Sequence, residues 1–76
     1  MSEKFKEMRE QLGAFGRTLT LPFASEGVPS LLYALREKRL LRSQDELFKV
    51  VAADYDKYYD EVIFLFDYST SEEEIM

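Results

Sequence analysis

DKYYDEVIFLF, residues 56–66, sets charged and phenolic side chains directly against five consecutive apolar ones, Val62 to Phe66. Its reading decides the fold. As a helix it continues a stripe that begins upstream: Phe48, Val51, Tyr55, Tyr58, Val62 and Leu65 recur at spacings of 3 and 4, a heptad seam. As a strand it needs a break near Asp60, after which EVIFLFDY, β-branched and aromatic, pairs with TLTLPF of residues 18–23. Periodicity does not separate the two for so short a run, and the length of the seam favours one long helix to about Tyr68. Phe64 fits that helix least well. It falls on the Asp60 side, so the helix is apolar nearly all round and must be buried on two sides.

Working outward, SQDELF of residues 43–48 has the form of a capping box: Ser43 is followed three residues later by Glu46 and then by Leu47 and Phe48, which predicts the start of a third helix. Further upstream, VPSLLYALREKRLL predicts a second helix with Val28, Leu31, Leu32 and Leu35 inward. Its Pro29 lies in the first turn, and Arg36, Lys38 and Arg39 lie at the C-terminal end, where they suit the helix dipole. The N-terminal SEKFKEMREQLGAF places Phe5, Met8, Leu12 and Phe15 on one stripe, with Ser2 as N-cap and a stop between Gly13 and Gly16. Between these helices, RTLTLPFASEGVPS alternates through Leu21 and is interrupted by Pro22, Gly27 and Pro29. It reads as an extended connection or a short edge strand whose Leu19, Leu21 and Phe23 pack onto the helices.

The expected architecture is therefore mainly α: a three-helix domain over residues 1–70, a helical bundle with a short extended segment between helices 1 and 2, followed by an acidic, frayed tail at 71–76. A chain of 76 residues builds only a small core. It contains no Cys and no His, so neither disulfides nor imidazole or thiolate metal sites can reinforce it. Self-association or a partner is the remaining device, and a homodimer is expected, with the C-terminal apolar stretch buried against another subunit or a partner. No segment approaches the ~18 apolar residues that span a bilayer, and no basic stretch leads into an N-terminal apolar run; the expectation is a cytoplasmic protein without a membrane partner.

Composition also bounds the chemistry. Without His or Cys, the hydroxyl side chains have no obvious base, and acid pairs such as Asp56 with Asp60 suit a solvated helix face better than catalysis, so no enzymatic activity and no small-molecule substrate are expected. Asp54, Asp56, Asp60 and Glu61 are hard oxygen donors. A calcium loop counted from Asp54, however, would place Tyr58, Tyr59 and Leu65 where Asp, Gly and Glu are required, so neither metal nor cofactor is expected.

Charge is uneven: residues 1–43 carry +3 and residues 44–76 carry −8 within a net −5. Such a split favours antiparallel docking of the halves and lets the acidic surface steer a basic partner. The leading functional expectation is a non-enzymatic interaction module, acting as adaptor, assembly factor or inhibitor. It would dock on a protein partner through Tyr59, Phe64, Phe66 and Tyr68, rimmed by Asp56, Asp60, Glu61 and Asp67. Two alternatives accompany it. In the first, Asp54, Asp56, Asp60, Glu61 and Glu72 to Glu74 stand in for phosphates and block a basic cleft on another protein. In the second, Arg36, Lys38, Arg39 and Arg42 read DNA from a helix-turn-helix, a reading that the net negative charge disfavours.

Overall fold

The computed structural model describes residues 2–69. It overturns the helical expectation: the chain is mainly β, a curled four-stranded antiparallel sheet with two α-helices, and there is no third helix among the described residues. Helix α1 (Glu3–Leu12) leads through a 3₁₀ turn (Gly13–Phe15) into β1 (Gly16–Pro22). Then follow α2 (Gly27–Arg36), β2 (Leu40–Ser43), β3 (Glu46–Asp56) and β4 (Glu61–Asp67). The strand order is β1-β4-β3-β2, which puts the C-terminal strand in the interior of the sheet.

The two outer helices form for the reasons their sequences give. Ser2 caps α1, its Oγ accepting from the Phe5 N–H at 3.2 Å, and Gly13 with φ 55° ends it. Pro29 sits in the first turn of α2. That helix closes with a Schellman motif: the Arg39 N–H donates to the Ala34 carbonyl and the Lys38 N–H to that of Leu35, with Lys38 at φ 54° in the position glycine usually fills.

The long third helix fails at two turns. Ser43 and Glu46 are not a capping box but opposite members of the β2–β3 ladder, joined by a two-residue hairpin in which Gln44 takes φ 56°. At the other end Lys57 to Asp60 form the β3–β4 turn, with Asp60 at φ 54°. Between them β3 carries a bulge, its register against β4 shifting between Val50 and Ala52. The inward positions Phe48, Val50, Ala53 and Tyr55 therefore run at spacings of 2, 3 and 2, and one inserted residue makes a strand resemble a helical stripe.

Register assigns the faces. Leu21, Val62, Phe64, Phe66, Phe48, Val50 and Ala53 look toward α2, which contributes Val28, Leu31, Ala34 and Leu35 to the main core. α1 crosses the other face. Its start is tied to Asp54, whose Oδ2 accepts from the Ser2 N–H at 2.8 Å. Its end reaches Gly16, where a Cβ would lie 3.0 Å from that of Leu12. Phe5 of α1 and Leu65 of β4 are the buried side chains of that layer. The apolar run Val62 to Phe66 is thus accommodated within a single chain, one face under each helix, and the expectation that a second subunit must cover it is corrected.

Candidate functional site

Hydrogen bonding in the β1–β4 ladder places Phe23 beside the β3–β4 turn, because the Phe23 N–H donates to the Asp60 carbonyl at 2.9 Å. Phe23 and Tyr55 then meet edge to face at 5.4 Å, and Tyr58 and Tyr59 do so at 4.7 Å. These four aromatic side chains gather at one end of the sheet and remain in water, Tyr58 being 85% and Tyr59 67% exposed.

The carboxylates at this tip are engaged in holding it. Asp56 Oδ1 accepts from the backbone N–H groups of Tyr58 and Tyr59, at 2.9 and 3.3 Å, an Asx turn that fixes the first half of the loop. Asp60 Oδ1 accepts from the Tyr55 hydroxyl at 2.7 Å. That bond raises the Tyr55 phenol above its ordinary value of 10.0, with partial removal from water and the negative charges of Asp60 and Asp56 adding to it. On the α1 face of the same hairpin Asp54, Tyr55, Asp56, Lys57, Tyr58 and Ile63 line an open cleft of about 580 Å³.

The residues expected to form one surface are divided by the fold. Tyr59, Asp56, Asp60 and Glu61 lie at the turn. Phe66, Asp67 and Tyr68 lie at the opposite end of β4, whose seven residues span about 20 Å. Phe64, between them, is 0% exposed and belongs to the core, not to an exposed surface. Phe66 and Tyr68 pack against Phe48, with ring centroids 5.1 and 5.0 Å from its own, and the Arg17 guanidinium lies 4.3 Å over the Tyr68 ring. Asp67 Oδ1 accepts from the Ser69 N–H and hydroxyl. Glu72 to Glu74 lie outside the described residues.

No family model matches this chain, and no curated protein or solved structure is detectably similar to it. The site therefore rests on its own geometry.

Two further expectations meet that geometry. Among the described residues no group of three or more acids is placed to hold a metal ion. Arg36, Lys38, Arg39 and Arg42 run from the end of α2 into β2, so the second helix of a helix-turn-helix is absent from its place. Arg36 lies 3.6 Å from Glu37, and Arg39 stacks on Tyr33 and donates to its hydroxyl. Three of the four aromatic side chains of the tip stood outside the surface expected from sequence: Tyr55 and Tyr58, assigned there to a helical seam, are 51% and 85% exposed, and Phe23 is the third. Phe23 was expected to pack on the helices, and only the β1–β4 register, which sets it opposite Asp60, brings it to the tip.

Proposed function

We propose that the protein is a non-enzymatic interaction module that binds a protein partner through the aromatic tip of the β3–β4 hairpin, namely Phe23, Tyr55, Tyr58 and Tyr59, with Asp56 and Asp60 as its polar frame. One observation carries this reading. Tyr58 and Tyr59 project into water at the end of the sheet, on a turn that two carboxylates hydrogen-bond. Aromatic side chains presented on an ordered turn bury large area on binding and lose little conformational entropy in doing so. The core has no need of either ring, so packing does not explain them.

The same carboxylates bear on the phosphate-mimic alternative. Asp56 and Asp60 spend acceptor capacity on the turn itself, which favours a framing role over a display of free charge. The test is capture of partners from source-cell lysate by the tagged chain and by the double variant Tyr58→Ser, Tyr59→Ser. A partner held by the parent and lost by the variant, with the circular dichroism of the two chains unchanged, supports the tip. A partner retained in full by the variant removes it.

A further inference from the structure

β1 is an edge strand, and among the described residues no strand pairs with its outer side. Which of its backbone groups face outward follows from the ladder. The Tyr68 N–H donates to the Phe15 carbonyl and the Phe23 N–H to that of Asp60, so the odd residues of β1 bond to β4, while Thr18 and Thr20 turn their N–H and C=O groups away from the sheet. At the two ends of the strand the outward groups are mostly taken or absent. The Gly16 N–H is already given to the Gly13 carbonyl, Pro22 has no N–H, and the Pro22 carbonyl accepts from Ser25.

We infer that this edge pairs with the same edge of a second copy, antiparallel about a dyad at Leu19. The free groups select that register. Setting Thr18 opposite the second copy's Thr20 bonds all four outward groups of the two threonines, and the ladder stops where Pro22, which has no donor, faces Gly16, whose donor is used. A shift of two residues in either direction leaves one threonine carbonyl unbonded, and a shift of one opposes inward-facing groups. Side chains agree with it: Leu19, 40% exposed, meets its own copy, the threonines pair across the dyad, and Arg17 stays away from its counterpart. No charge lies between Thr18 and Pro22 to oppose the approach. The other open edges fit less well. β2 is four residues long, and β3 beyond it carries Asp54 and Asp56 and is flanked by Phe5 and Met8 of α1. The product is a continuous eight-stranded sheet with both hairpin tips free for the partner proposed above.

The test is sedimentation of the whole chain over a concentration series, with amide exchange measured on the same samples. The expected result is a concentration-dependent dimer in which protection of the Thr18 and Thr20 amides rises with concentration, while Leu19 and Leu21, bonded to β4, stay protected throughout. Leu19→Lys puts like charges opposite each other and should weaken the dimer at least about tenfold. Thr20→Pro deletes an outward donor that β4 does not use and should do the same with the sheet intact. A chain monomeric up to about 1 mM, or a dimer that leaves Thr18 and Thr20 unprotected and ignores both substitutions, overturns the inference.

Discussion

Two residues at turns carry consequences that single substitutions can read. Lys38 sits in the left-handed region at the end of α2, where a side chain costs about 1–2 kcal/mol and glycine does not. Part of that gain is returned as backbone entropy of the unfolded chain. Lys38→Gly is expected to raise stability by about 0.5–1 kcal/mol in denaturant unfolding, provided the Arg39 to Ala34 bond is kept. Tyr55 gives a pH prediction. Its phenol titrates above 10.0 in the folded chain because Asp60 accepts a hydrogen bond from the protonated hydroxyl, so the stabilisation this provides is fully present below pH 10.0 and is lost as pH rises through the folded-state value. Ultraviolet titration of the parent and of Asp60→Asn should differ by one phenol whose ionisation moves to lower pH in the variant.

At the scale of elements, β4 is the strand on which the sheet depends, since it pairs with β1 on one side and β3 on the other and supplies Val62, Phe64 and Leu65 to the two buried layers. Phe64→Asp sets an uncompensated carboxylate among Val28, Val50 and Val62 and is expected to unfold the chain; even Phe64→Ala should cost about 3–5 kcal/mol. Circular dichroism and a denaturant midpoint decide it, and a folded Phe64→Asp chain would contradict the packing described. The same strand shows what the sequence made legible. α1, its Ser2 cap, its glycine stop and α2 with Pro29 were readable, because each depends on neighbours within one or two turns. β1 was read from its alternation and its Pro22 as an extended connection or a short edge strand, and it is the strand. For β4 the sheet adopts the alternative reading, a strand after a break at Asp60 paired with β1, while β3 was hidden by non-local features: a bulge at Val50 to Ala52 and hairpins at Gln44 and Asp60, none marked by glycine, turned a strand pattern into one with helical spacing. Phe64, the residue that fitted the helix worst, was the signal that pointed to the sheet.

At the scale of the whole molecule, the Arg17–Glu46 ion pair that links the two halves adds little to holding them together. Across the described fold Arg17 of β1 reaches Glu46 of β3 at 3.0 Å, and both side chains are more than half exposed, where an ion pair is worth about 0–1 kcal/mol before salt screening. The sheet ladders and two apolar layers do the joining. The net charge of −5 sets a negative field around the chain, and its effect on binding separates the proposed reading from its rival. If the aromatic tip carries the affinity, charge speeds encounter and adds little to the bound state, so raising salt from about 0.1 to about 1 M, which shortens the screening length from about 10 to about 3 Å, should slow association while changing the dissociation constant by less than about tenfold. If Asp54, Asp56, Asp60 and Glu61 act in place of phosphates, each contact depends on charge in water-filled surroundings, and the same salt change should weaken binding by orders of magnitude. Association and dissociation rates of the captured partner, measured at both salt concentrations with the parent chain and with Tyr58→Ser, Tyr59→Ser, give the two outcomes distinct signatures. The tyrosine variant accelerates dissociation at either salt if the tip binds, and leaves dissociation unchanged if the carboxylates alone do.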